Sequence, residues 1–205
     1  MQITCYKDFY EFMVLEVPRV TQPILEQRIK EAARIFAKES EQWKETLDSV
    51  HLRDGIVEYT LDWSWCARIV RIDQLRINTE AGVTEGDKGT VINPSLYEFT
   101  APDIIELHDS LEPSADVDKG LEVDVTLVPE VGEWPWNDDD HSIEFINRWF
   151  DGIVAKAKAD LLRMGGKRWT DRELAGVCQQ EYLRDLNKAK GEVSRKYKNN
   201  STIGA

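Results

Sequence analysis

Apolar positions return at two different periods along this chain. Leu25, Ile29, Ala32, Phe36 and Trp43 recur at helical spacing, with Leu47 closing the run and Glu, Lys, Arg and Gln between them. The pattern predicts an amphipathic helix over residues 21–48, with Thr21 as its cap and Pro23 tolerated in the first turn. Ahead of it, Asp8 and Glu11 fit a short capped helix carrying Phe12, Met13 and Leu15, redirected at Pro18.

After a turn at Asp54-Gly55 the period shortens. Residues 56–61, 67–77, 96–100, 104–107 and 121–128 are short β-like runs, several alternating apolar and polar residues as half-buried strands do. The stretch 78–93, rich in Gly, Thr and charge, reads as a loop or a long hairpin tip. Helical spacing then resumes. Ile146, Trp149, Phe150, Ile153, Ala157 and Leu161 mark a helix over 142–164, preceded by the acids Asp138–Asp140 and stopped by Gly165-Gly166. Thr170 to Glu173 reads as a capping box opening a last helix over 170–195, with Leu174, Val177, Cys178, Tyr182, Leu186, Ala189 and Val193 on its inner side.

This order predicts an α+β fold. Residues 1–54 and 138–198 form an antiparallel helical bundle, a small β-rich section (55–137) is inserted in it, and 199–205 is a flexible tail. Neither helical end alone offers enough surface to bury, so the two are expected to pack together.

Charge changes the picture next. The 205 residues hold 38 acidic and 26 basic side chains, a formal net charge of −12, which argues against general binding to nucleic acid or an anionic membrane. The N-terminal residues lack the basic start, apolar stretch and cleavage site of a targeting signal, and no segment approaches a transmembrane span. Cys5, Cys66 and Cys178 are too dispersed for a metal site or a disulfide framework and read as small apolar residues in a reducing compartment.

The chemistry of the side chains selects no reaction. The motifs of nucleophile elbows, P-loops and dinucleotide folds are missing, and Gly165-Gly166-Lys167-Arg168 reads as a helix stop rather than a phosphate turn. His51, His108 and His141 do not converge in sequence. Residues 101–140 carry 13 acids and one lysine, and Asp116, Asp118 and Asp138–Asp140 match no calcium loop, so they read as a solvated face. The chain is therefore expected to be non-enzymatic, without metal or cofactor. A hydrolase using paired acids stands as an alternative, as does a non-viral scaffold or regulatory protein. Among seven tryptophans, Trp63, Trp65, Trp134 and Trp136 form two close pairs, suited to a subunit interface, to stacking on a ligand such as a carbohydrate, or to loop and core packing. The C-terminal stretch reverses the sign of the chain: Arg184, Lys188, Lys190, Arg195, Lys196 and Lys198 outnumber Asp185 and Glu192. Such a segment can dock onto an acidic partner, or head-to-tail onto another copy.

The pattern as a whole resembles the head-to-tail adaptor, or head completion, proteins of podovirus-like and related tailed bacteriophages. The matching stretches are residues 9–50, DGIVEYTL (54–61), YEFTAPDIIEL (97–107), LEVDVTLVPE (121–130) and 157–193. The family's strand signature falls on Gly55, Tyr59 and Leu61, its V-x-L-x-P strand on Val125, Leu127 and Pro129, and its turn before the last helix on Trp169 and Asp171. The resemblance covers nearly the full length, and its specificity lies in the order and spacing of motifs that carry no chemistry. It implies a structural virion protein of the neck, present in the host cytoplasm during assembly. It implies a ring of copies, commonly twelve, under the portal protein. That ring extends the DNA channel, lets DNA pass without sequence-specific binding, and meets tail or nozzle proteins on its far side. The resemblance places residues 170–205 at the portal, with the six basic residues named above as docking groups.

Overall fold

The computed structural model describes residues 9, 12–15, 17–63, 67–78, 89–100, 102–129 and 141–202, with the side chains of 141–143 and 196–202 left aside. The chain divides into two units: residues 1–42 with 129–205, and residues 43–128.

The first unit is helical. Helix α1 (Gln22–Ser40) ends where Glu41 adopts the left-handed conformation, with φ of 54°. Helices α2 (His141–Arg148) and α3 (Phe150–Leu162) are separated only by Trp149. Helix α4 (Arg172–Thr202) is the longest element, at 31 residues. Helix α3 packs on both α1 and α4, and α1 also meets α4. Close approach follows from small residues: a Cβ added at Gly152 would lie 2.7 Å from the Phe36 ring and 3.1 Å from the Asp185 Cβ. Phe36 is the hub, its ring centroid 5.6 Å from that of Trp149, 6.0 Å from Tyr182 and 6.2 Å from Phe145. The Tyr182 hydroxyl donates to Glu39 across 2.6 Å, tying α4 to α1.

The cap of α4 departs from expectation. Asp171, not Thr170, accepts from the free N–H groups of Glu173 and Leu174, at 3.1 and 3.0 Å. Thr170 instead donates its hydroxyl to the Met164 carbonyl and accepts from Lys167 N–H, closing the turn between α3 and α4. Thr21 makes no side-chain cap for α1. Leu174 and Val177, expected on the inner side of α4, are exposed; the buried stripe is Ala175, Cys178, Tyr182, Leu186 and Ala189.

The second unit consists of two sheets. Strands β1 (Lys44–Thr46) and β2 (Val50–Leu52) both pair antiparallel with the long β8 (Val117–Pro129), which neighbours β4 (Ala67–Ile77); β5 (Thr90–Val91) pairs antiparallel with β4. A separate three-stranded sheet has the order β3 (Glu58–Thr60), β7 (Ile104–Leu107), β6 (Tyr97–Thr100), antiparallel throughout. The core of this unit takes Leu121, Val123, Val125 and Leu127 from one face of β8, all fully buried, and from Val125 onward Thr126 and Val128 are buried as well. The register on β8 slips between Val50 and Leu52, where Lys119 has φ of 54° and Gly120 leaves room for the Leu52 side chain.

The expected α+β arrangement, a helical bundle with a small β insert, is thereby corrected. The protein is a mixed α/β molecule dominated by antiparallel sheets, with helices at the two ends of the chain. The physical reason lies in residues 41–54. Glu41 breaks the helix, and the chain continues as β1 and β2, whose backbone groups pair with β8, so these residues belong to the sheets. The tail from residue 199 is likewise helical as far as Thr202.

Candidate functional site

On one face of the larger sheet, strand alternation assembles a closed charge network. Register pairs Lys44 with Thr126 and Thr46 with Asp124. Asp73 accepts from the Thr126 hydroxyl at 2.6 Å and pairs with Lys44 at 3.0 Å and Arg71 at 2.6 Å. Arg76 forks onto Asp124 at 2.7 Å and Glu122 at 2.9 Å, while Thr46 donates to the other oxygen of Asp124. Both Asp73 and Arg76 take part although they stand three positions apart on β4. Burial pushes the Asp73 carboxyl upward, but hydrogen bonds from Thr126, Lys44 and Arg71 outweigh it and hold the group below the usual carboxylate range. Tyr97 of β6 is raised by burial and by the Asp73 charge. Three cations face three carboxylates, each carboxylate matched. The network braces β1, β4 and β8.

The smaller sheet carries the opposite arrangement. Its register aligns Tyr59, Ile105 and Phe99 on one face, and Glu58, Glu106 and Glu98 across the other. All three glutamates are exposed, and Thr60, Ile104 and Thr100 form the next row. Like charges directly opposite one another on neighbouring strands repel. No hydrogen bond or ion pair to a described residue offsets them. Sequence reading missed this row, since register is not visible in a single strand. A signal was present: each strand places a glutamate between two apolar residues, Val57-Glu58-Tyr59, Tyr97-Glu98-Phe99 and Ile105-Glu106-Leu107.

The basic residues of α4 divide by face. Arg184, Lys188 and Arg195 fall within about 40° on the helix circumference, on the side away from Tyr182 and Leu186; all three are exposed. Lys190 is exposed on a different flank, and Lys196 and Lys198 lie on the helix with side chains outside the described residues. Arg184 Nε donates to Asp185 at 3.2 Å, and Lys188 Nζ sits 5.8 Å from the centroid of the Trp149 ring. Ala189 is the last buried residue; Glu192 and Val193 are half-buried, Ser194 and Arg195 exposed. Glu192 still pairs with Arg148 at 2.6 Å.

Of the four tryptophans singled out, Trp63 is half-buried and donates its indole N–H to the Ala67 carbonyl at 2.7 Å, a loop contact. Trp65, Trp134 and Trp136 lie outside the described residues, as do Asp138–Asp140. Asp116 accepts from Asp54 N–H at 2.9 Å, and Asp118 lies 3.5 Å from His51. The His108 ring accepts from Ser110 N–H. Among the described residues, no group of three His, Cys, Asp or Glu is arranged to hold a metal ion, and no helix is long and apolar enough to cross a membrane. A cleft of about 160 Å³ lies between the ends of β2, β4 and β8 and the segment 110–115. The chain matches no protein-family model and no curated protein.

Proposed function

We propose that this protein is a structural assembly component, a head-to-tail adaptor that sits on a portal ring and carries the DNA channel toward the tail. The observation that carries the reading is helix α4: 31 residues long and basic toward its end, in a chain whose net charge is −12. A basic segment in an acidic chain offers a surface for a partner of opposite charge. The residues behind the family resemblance serve the fold in ways that support it. Gly55 takes a turn at φ of 69°, and Gly55 N–H donates to Pro113. Tyr59 and Leu61 are buried, with the Tyr59 hydroxyl donating to the Ile56 carbonyl at 2.6 Å. Val125 and Leu127 fill the core of β8, and Asp171 caps α4. An acidic surface also suits a DNA conduit, because carboxylates release phosphate where a basic lining would retain it.

In this reading the segment after Val193 docks on the portal, and the β unit meets tail proteins. The test is a truncation after Val193. The shortened chain is expected to stay folded by circular dichroism yet fail to co-sediment with portal rings that retain the full chain. Equal co-sedimentation of both forms would remove the docking assignment.

A further inference from the structure

The smaller sheet leaves one edge open. Leu107 N–H donates to the Val57 carbonyl, and Leu61 N–H to that of Asp103. Backbone groups alternate in direction along a strand, so those of Glu58 and Thr60 point away from β7. Strand β3 is the outer strand of its sheet, and both residues are exposed. Among the described residues, no strand or loop pairs with their N–H and C=O groups. The far edge, on β6, is less open, because its outward groups belong to Tyr97 and Phe99, both half-buried. We infer that the β3 edge takes up an extended segment of a partner protein that carries Lys or Arg at alternate positions. Such a segment lies roughly 4.8 Å from β3 and exchanges backbone hydrogen bonds with Glu58 and Thr60. Added in the antiparallel sense of the rest of the sheet, it places the residues opposite Glu58 and Thr60 on the glutamate face.

Charge selects the partner. Glu58 stands opposite Glu106, and Glu106 opposite Glu98, with no ion pair to any of the three among the described residues. Glu58 and Glu106 form a non-hydrogen-bonded pair, the kind that brings side chains closer, so repulsion is strongest next to the open edge. A cation opposite Glu58 extends the row by one member and offsets that repulsion, and a second one opposite Thr60 reaches Glu58 on the diagonal. A charged residue on a short edge strand also keeps like strands away, and that role accounts for Glu58. It does not account for Glu106, which lies on the central strand and guards no edge. A second copy is disfavoured as the occupant, because pairing β3 with β3 sets further glutamates against the row. The inference goes beyond the adaptor reading, since it needs no portal and its test does not depend on portal binding.

The test uses the full chain and a short synthetic peptide alternating lysine with valine. Affinity is read by fluorescence anisotropy, the site by amide hydrogen exchange in NMR, and folding of each variant by thermal melting. The peptide is expected to bind saturably and to slow exchange at Glu58 and Thr60, the two amides that face away from β7. The same peptide N-methylated at its lysine amides keeps its charge but cannot pair with the edge, and is expected not to bind. Thr60→Pro removes an outward N–H without touching the bonds to β7, and proline is accepted on edge strands, so this variant should melt near wild type and lose the peptide. Glu58→Lys/Glu106→Lys should weaken the lysine peptide about tenfold or more and accept a glutamate–valine peptide in its place. A lysine peptide that does not bind the wild-type chain overturns the inference. So does equal binding of the N-methylated peptide, which would reduce the effect to attraction by an acidic chain. Protection confined to amides outside β3, or wild-type affinity in either variant, overturns it as well.

Discussion

At the level of single residues, the described core contains two buried indole N–H groups without an acceptor, those of Trp149 and Trp169. An orphaned buried donor costs about 1–3 kcal/mol. Trp149→Phe removes that donor while keeping an aromatic ring beside Phe36, so its net effect in urea denaturation is expected to stay within about 1 kcal/mol. Phe36→Ala at the hub should cost about 3–5 kcal/mol. Equal losses would mean that the indole has a partner. Asp73 gives a pH test. Its carboxyl titrates below the ordinary range in the folded chain. Its contribution is therefore complete above the unfolded value and disappears as pH falls through the folded one. The difference in melting temperature between wild type and Asp73→Asn should be constant near neutrality and shrink below about pH 4. A gap that is flat down to pH 2 would show that the network contributes nothing through ionisation.

Among the elements, Gly152 sets the distance between helices. A methyl group there meets the Phe36 ring and the Asp185 Cβ, so Gly152→Ala should destabilise by about 1–3 kcal/mol despite its better helix propensity, as read from thermal melts. The bounds of β4 and β7 were legible, β7 because Asp103 and His108 flank it and β4 because Asn78 ends its run of β-forming residues. The end of α1 was not. Trp43 and Leu47 continue the helical spacing from Phe36, and neither Gly nor Pro lies between Ser40 and Leu47; only the conformation of Glu41 reveals the break. Strands β1 and β2, three residues each, carry too few positions for a period to show. The exposure of Leu174 and Val177 was hidden for another reason. Apolar residues at helical spacing look the same whether they face a core or a partner, and tertiary contacts alone decide between them. The basic stripe of α4 was legible as composition, but its division into faces required the helix. The glutamate row required the register of three strands.

Across the whole molecule, charge is segregated: an acidic chain carries an acidic sheet face and a long helix that is basic toward its end. That segregation fits a part that assembles by stacking and docking rather than by chemistry, and the matched network on the larger sheet gives such a part rigidity. The most direct measurement of the central claim is cryo-EM of the full chain mixed with portal rings. The account predicts a closed ring of copies stacked coaxially on the portal, with the C-terminal ends of α4 against it and the channel continued through the centre. Portal rings that remain bare beside dispersed monomers would contradict it.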